Sequence, residues 1–456
     1  MRELKIGTSW VRGVVGDALT PELAVNFAIS LGTWGGGGPI VIGRDTRRSS
    51  NMLRAAVISG LMAPGCEVID LGICPTPLVS FAVRELGAVG GISITGSHND
   101  ARWNALKFIG PDGTLFNAVK SLELLDIYHA AAFTISPNGP YRVTESADVL
   151  DRFLEHMLTS LNVDSIRSQK FRVAIDFCNG SCATVMTRFC EALGCTVLPL
   201  NDSPSSDFAH APAPSIANMK GLTEFVQDTQ ADLGAALNVD GDRIAFVASD
   251  GTPLSEEYTL PLAAQSRLRR RPGPVVTNFS TSRLIDVVAG QFGQSVVRTA
   301  VGEGYVMDRG LQEGAVLAGE GSGGVGVLPL TMTFDAASTL GSVLDYMATG
   351  GETLLGFVES LPQFFNEKGE IKCSADQVYR LLEVFREEFR DLSPDMPDGL
   401  RVEWSDAWLH VRATNTEPLL RVIVEAQTEQ RATTLFNSAM TLAQRAVAKG
   451  KGEQPA

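Results

Sequence analysis

No stretch of this chain approaches the ~18 consecutive apolar residues that a membrane-crossing helix needs. The opening residues, MRELKIGTSW, lack the apolar h-region of a signal peptide. Both absences point to a cytoplasmic protein with no membrane partner. Basic residues are in short supply: 38 Lys and Arg stand against 52 Asp and Glu, a net charge of −14. That balance argues against nucleic acid as a main partner, although a small anion can still bind where Arg, Lys and helix N-termini are concentrated. Cysteines number seven. The cluster Cys178, Cys182, Cys190 and Cys195 lacks the paired C-x-x-C spacing of a zinc site, so buried thiols are expected. The run Gly35–Gly38 lacks G-x-G-x-x-G context and reads as a turn, not a dinucleotide site. No G-x-S-x-G elbow marks a hydrolase serine.

What is present is a repeating rhythm. At 456 residues the chain is long enough for about three domains, or four small ones. Strands are expected at Pro39–Gly43, Glu67–Leu71 and Gly90–Thr95, with helices near Ser49–Ala63 and Thr76–Leu86. The pattern returns with strands Phe171–Phe177, Cys195–Leu200 and Asp232–Leu237 and helices near Gly180–Leu193 and Ser215–Thr229. It returns again with strands Pro274–Asn278, Gln294–Thr299 and Ala315–Leu317 and helices near Thr281–Phe292 and Glu303–Glu313. Such alternation predicts α/β domains with parallel or mixed sheets, whose ligands bind beyond the carboxyl ends of the strands. The C-terminal part differs: helix Ala375–Phe389, strands Leu400–Trp404, Trp408–Arg412 and Leu420–Glu425, and helix Glu429–Val447 read as a small α+β domain. Boundaries are expected at 1–150, 151–252, 253–367 and 368–456. The tail Lys449–Ala456 is expected to be disordered.

Four loops carry residues able to do chemistry. TGSHND, Thr95–Asp100, sets Ser97 after a strand and beside a glycine, where its hydroxyl can face a cleft; an ordinary turn is the plainer reading. His98 is adjacent in sequence and poorly placed as a base for Ser97. In NVDGDR, Asn238, Asp240 and Asp242 set oxygen atoms at alternate positions, as one hard cation requires, and a hairpin with an Asp-Gly turn is the alternative. Arg243 can neutralise those carboxylates or contact phosphate. GEGSGG, Gly319–Gly324, offers Glu320 and Ser322 to sugar hydroxyls, or is simply a glycine-rich turn. In RATNTEPLLR, Arg412, Thr414, Asn415, Thr416 and Arg421 can form a phosphate cradle, or a Ser/Thr-rich turn. GTSWVRG adds Arg12 near the N-terminus.

Taken in order, GTS-x-VRG at Gly7–Gly13, GRDTR at Gly43–Arg47, TGSHN at Thr95–Asn99, DGDR at Asp240–Arg243, GE-x-SG at Gly319–Gly323 and the TNTEP loop resemble the α-D-phosphohexomutase superfamily. The resemblance covers nearly the whole chain. It implies four domains around a central cleft, the first three alike. It implies a phosphoserine at Ser97 and one magnesium ion held by Asp240, Asp242, Asn238 and the Ser97 phosphate. Sugar contacts from Glu320 and Ser322, and a phosphate clamp of Arg412, Thr414, Asn415, Thr416 and Arg421, are implied as well. Lys107, in NALKF, matches the family's lysine near the serine and is a candidate for proton transfer or charge stabilisation. Arg12 and His98 join the catalytic candidates, and Arg243 the substrate-binding ones. A hexose 1,6-bisphosphate is implied as intermediate and activator, with the protein a monomer or homodimer.

Three positions depart from the family's pattern. Asn238 stands where an aspartate is usual; its carbonyl oxygen is expected to serve as ligand with one charge lost. Trp10 replaces a glycine and is expected to reshape the cleft entrance. Asp100 replaces a proline. For the substrate, Glu303 and Gly324 stand where phosphomannomutase/phosphoglucomutases often have histidine. The strings VGE and GEGSGG favour glucosamine phosphate over a broad mannose/glucose phosphate mutase. A non-catalytic sugar-phosphate-binding protein is the reading from another class. A hinge is expected before the last domain.

Overall fold

The computed structural model describes residues 4–146, 148–392, 398–414 and 419–452. Three of its four sheets repeat one plan. In the first, strands Trp103–Ile109, Gly90–Ile94, Ile40–Arg44 and Val68–Ile73 lie side by side in that order. In the second the order is Ile244–Ala248, Leu233–Leu237, Arg172–Asp176 and Thr196–Leu200. The third runs Val325–Val327, Leu317–Gly319, Val275–Asn278 and Val296–Thr299. Within each plan three strands are parallel and the strand named first is antiparallel; in the first sheet that strand, Trp103–Ile109, pairs on its other side with Trp10–Val14. Each chemistry-bearing loop of these three domains therefore occupies the same place, the connection from a parallel strand to its antiparallel partner. For Asn238–Arg243 the hairpin reading is correct, since Leu237 pairs with Ile244 across it.

Helix boundaries follow local chemistry. Helix Pro21–Trp34, which the repeat pattern does not announce, starts with proline in its first turn and Thr20 Oγ1 accepting from Leu23 N. The helices expected from Gly180 and Thr281 begin instead at Ala183 and Leu284. Cys178 and Asn179 adopt positive φ, and Asn278 Oδ1 accepts from Ser280 N, so the backbone before each helix turns before it coils. The expected disordered tail is corrected in part: helix Glu429–Gly452 continues past Val447, and residues 453–456 lie outside the described ones. Among the described residues no helix is long and apolar enough to cross a membrane.

The core divides the molecule unequally. One apolar cluster runs without a break from Val41 and Leu78 through Phe153 and Phe177 to Leu260 and Leu340, joining the first three sheets. Helix Ala336–Gly350, capped by Asp335, is buried from Ala336 to Met347 and packs against helices Thr259–Arg270 and Val163–Gln169. Its few polar residues are bonded, Asp345 accepting from Ser266 Oγ at 3.0 Å and pairing with Arg270 at 3.1 Å, and the buried helix welds two domains. The fourth sheet, in order Phe365–Lys372, Leu419–Ala426, Ala407–Ala413 and Leu400–Glu403, is antiparallel throughout. It has its own core, built from Leu381, Phe385, Val411, Val422 and Leu435. Its polar edge strand Phe365–Lys372 spans the expected boundary at 367 and belongs to this sheet. Its joint to the third domain is polar: Ser280 Oγ lies 2.8 Å from His410 Nδ1, Arg283 N donates to Glu425 Oε1 at 2.9 Å, and Lys368 Nζ to Glu257 Oε1 at 3.0 Å.

Candidate active site

Ser97 is held by groups from several segments. Its φ is 48°, a left-handed conformation rare outside glycine. Asp45 Oδ2 accepts from Thr95 Oγ1 at 2.8 Å, and Thr95 Oγ1 accepts from Ser97 N at 2.9 Å. Arg47, fully buried and paired with Asp45 at 2.9 Å, donates to the carbonyls of Ser97 (2.8 Å), Asn99 (2.7 Å) and Trp103 (3.0 Å), and to that of Asp100. A Cβ on Gly96 would stand 2.6 Å from the Arg47 guanidinium carbon, so glycine lets the loop lie on it. Asp100 replaces proline's stiffness with its own bonds, accepting from Arg102 N at 2.9 Å and pairing with its guanidinium at 2.8 Å. Backbone strain of this kind persists only where the surroundings over-determine it.

The acidic loop of the second domain closes on this serine. Lys107 Nζ, 3% exposed, lies 2.6 Å from Asp240 Oδ2 and 2.6 Å from Asp242 Oδ2. Burial opposes the ammonium's charge, but the two carboxylates outweigh it and raise its pKa. Within the carboxylate pair, burial and Asp242 push Asp240 up, while Lys107 and Arg243 overcome burial and hold Asp242 down. Thr76, first residue of helix Thr76–Glu85, donates from Oγ1 to Asp240 Oδ2 (3.0 Å) and from N to the Asp240 carbonyl (2.9 Å). A helix N-terminus thus faces that acid. Ser97 Oγ is 3.5 Å from Asp242 Oδ2.

Asn238 departs from expectation. Its Oδ1 accepts from Arg243 N at 3.1 Å, and its Nδ2 points at Asp240 Oδ1 (2.9 Å), Asp242 Oδ1 (2.5 Å) and Ser97 Oγ (3.3 Å). The amide nitrogen, not the carbonyl oxygen, faces the carboxylates. Among the described residues no group of three or more His, Cys, Asp or Glu can hold a metal. Asp240, Asp242 and Ser97 still supply the oxygen donors that suit a hard divalent cation, so the loop fits such an ion with one ligand fewer than expected.

A cavity of about 430 Å³ lies in front of Ser97. Arg12, Trp10, His98, Lys107, Asp242 and Arg243 line its first- and second-domain side. Arg12 donates to Asn99 Oδ1 at 2.6 Å and stacks 4.3 Å from the Trp10 ring, with burial lowering its pKa to about 10. Its Nε has no partner among the described residues. Trp10 lies flat on Gly7, where a Cβ would meet the ring at 2.4 Å, so the unexpected indole forms a wall of the cleft. His98 Nδ1 is 3.5 Å from Ser97 Oγ; the charge of Arg243, then burial and Arg12, hold the imidazole neutral.

The opposite side belongs to the third and fourth domains. Glu320 Oε1 accepts from Gly302 N at 2.7 Å, and Ser322 Oγ donates to Glu320 Oε2 at 3.3 Å. Glu303 accepts from Phe334 N at 2.7 Å; burial and the Asp242 charge push its carboxyl up to about 8. Arg412 and Arg421 stand directly opposite each other in the sheet register. Like charges so placed repel unless an anion joins them. Among the described residues Arg412 Nε is buried without a partner, Arg421 Nε reaches Glu370 Oε1 at 3.2 Å, and Thr414 lines the cavity with both arginines. Asn415 and Thr416 lie outside the described residues.

One cavity therefore gathers Ser97, Lys107, Arg12, His98, Asp242, Arg243, Glu320, Ser322, Arg412, Thr414 and Arg421. Asn238 and Asp240 sit behind it. Sequence reasoning missed the supports Asp45, Arg47 and Thr76. The GRDTR string marks the first two but carries no hint of contacts 50 residues away.

The chain is similar to known proteins over nearly its whole length. Models described as phosphoglucomutase/phosphomannomutase alpha/beta/alpha domains I, II and III match residues 3–134, 151–251 and 255–365, and the C-terminal domain of that description matches residues 370–441. A probable phosphoglucosamine mutase of Methanopyrus kandleri is 35% identical over 97% of this chain and 98% of its own length. A phosphoglucomutase/phosphomannomutase of Thermococcus kodakarensis is 31% identical over 93% and 95%. Among solved structures, a phosphoglucomutase/phosphomannomutase family protein of Burkholderia thailandensis has a TM-score of 0.83 at 26% identity, covering 96% of this chain and 97% of that one. The fold is shared with the N-acetylphosphoglucosamine mutase of Aspergillus fumigatus, solved with GlcNAc-6P and magnesium (TM-score 0.57, 13% identity, coverage 93% and 97%).

Proposed function

The chain belongs to the phosphoglucomutase/phosphomannomutase family of α-D-phosphohexomutases, isomerases that move a phosphate within a sugar phosphate, and from that premise we propose that it interconverts glucosamine 6-phosphate and glucosamine 1-phosphate through a phosphate carried on Ser97. The observation that carries this reading is Ser97 facing the same cavity as the paired Arg412 and Arg421. Phospho-Ser97 gives its phosphoryl group to the free hydroxyl of the sugar phosphate. The phosphorus–Oγ bond breaks as a bond to the sugar oxygen forms, and the proton that hydroxyl loses is balanced by the one Ser97 Oγ regains. The bisphosphorylated sugar turns around, and Ser97 takes the other phosphoryl by the reverse step.

Roles follow from the electrostatics. Lys107 is locked as an ammonium between two carboxylates, which suits it to stabilise charge at Oγ and not to accept a proton. His98, kept neutral beside Oγ, helps to orient that oxygen and, as its adjacency in sequence suggested, is a poor proton acceptor. Arg12 and Arg243 meet phosphate, Glu320 and Ser322 meet sugar hydroxyls, and Arg412, Thr414, Asn415, Thr416 and Arg421 grip the phosphate that is not reacting. A magnesium ion, held by Asp240, Asp242 and the Ser97 phosphate, would supply charge that offsets the phosphoryl oxygens. Seven free, buried cysteines accord with a reducing cytoplasm.

Intact mass should reveal one added phosphate, absent from Ser97→Ala, and that variant should lose activity by at least about 10³-fold. Coupled assays should give the highest kcat/KM with glucosamine phosphates. The Thermococcus relative's name supports a second reading, a mannose/glucose phosphate mutase, and a preference for those sugars would favour it. Turnover of none of them by phosphorylated protein in magnesium would sink both.

A further inference from the structure

The acidic loop is already neutralised from two sides by the protein itself. Each carboxylate gives one oxygen to Lys107, at 2.6 Å, and the other to the Asn238 amide, at 2.9 Å for Asp240 and 2.5 Å for Asp242. The four side chains form a closed box, and all are buried. The direction of the Asn238 amide is fixed twice over. Arg243 N–H takes its oxygen at 3.1 Å, so a flipped amide would set donor against donor there and oxygen against two carboxylates at the other end. The loop's carboxylates carry two negative charges against one ammonium, and Arg243 Nε adds a second cation 3.8 Å from Asp242 Oδ1. An aspartate at 238 would keep the Arg243 bond with one oxygen and thrust its other, anionic oxygen at both acids. That arrangement would need a further cation, or a proton taken up by one of the three acids, to hold it.

We propose that Asn238 is not a metal ligand but a standing substitute for one, and that it makes this acidic loop stable without a divalent cation and a weak binder of one until Ser97 is phosphorylated. This rests on the reading of the loop as the cation site, and it is tested on the unphosphorylated protein, so that the phosphoserine reading does not enter. Calorimetric titration with Mg²⁺ and Mn²⁺ should give a dissociation constant at least about tenfold lower for Asn238→Asp than for wild type. Mg²⁺ should raise the melting temperature of Asn238→Asp and leave that of the wild type nearly unchanged. An Asn238→Asp protein that folds only when Mg²⁺ is present gives the same answer. Equal, measurable affinities in the two proteins would overturn the substitute role. The wild type alone provides a second measurement: Mn²⁺ binding tighter than about 10 μM, the weak end of the range for calcium sensor sites, would overturn the proposal whatever the variant does. Binding to neither protein would instead remove the cation-site reading beneath it.

Discussion

At one end of the cleft, Ser97 and the acidic loop are pinned by buried donors from two domains that share an apolar core with the third. At the other, Arg412 and Arg421 lie on a domain with its own core, joined through hydrogen bonds and ion pairs. The first end ties its serine and acids into direct bonds, while the second sets two like charges opposite each other, a pair that an anion would join. Such a division suits a reaction in which bonds change at one fixed point while an intermediate lets go and turns. Apolar cores weld because they are non-directional and close-packed, whereas a polar joint can exchange its partners for water at small net cost. A hinge before the last domain is consistent with that difference.

The largest effect should come from attacking the pinned end. Lys107→Ala leaves two buried carboxylates without their cation, and chemical denaturation should show a loss of about 3–5 kcal/mol, the cost of orphaning a buried pair. A loss below about 1 kcal/mol would mean the box is not rigid. The polar joint should respond to acid. His410 accepts from Ser280 Oγ and donates from Nε2 to the Asp398 carbonyl at 2.7 Å, and burial lowers its pKa to about 4. Its contribution is complete above the unfolded value near 6.5 and is lost as pH falls from there towards about 4. The loss should be on the order of 2 kcal/mol across that window, read as a melting temperature that falls more steeply in wild type than in His410→Gln. Parallel profiles would show that the joint does not depend on this imidazole. The smallest change should come from the waiting end. Arg421→Ala removes a half-exposed side chain whose ion pair with Glu370 adds little stability. The melting temperature should hold, while KM for the sugar phosphate should rise about tenfold, the worth of one charge-assisted hydrogen bond. An unchanged KM would remove Arg421 from the clamp.

Much of this was legible along the chain. Strands such as Leu233–Leu237 and Ile175's neighbours are continuous apolar runs because both faces of their sheets are covered. Polar strings such as NVDGDR stand out against them. The strand Phe365–Lys372 was hidden because FNEKGEIK lies at an edge and buries little. Asp45 and Arg47 were visible as letters but not as supports, because their partners come from the serine loop.

By itself the sequence determined the order of the elements, the repetition of one α/β plan and which loops carry acids, arginines and the serine. Local propensity and apolar periodicity act between near neighbours, so they can be read in one dimension. Only the tertiary structure decided that Lys107 is a locked ammonium, that His98 is neutral and that Asn238 turns its nitrogen to the acids. Electrostatic energy depends on distance through space, and a hydrogen bond on the direction of its partner. Both are set by folding segments as far apart as Lys107 and Asp242 onto one point.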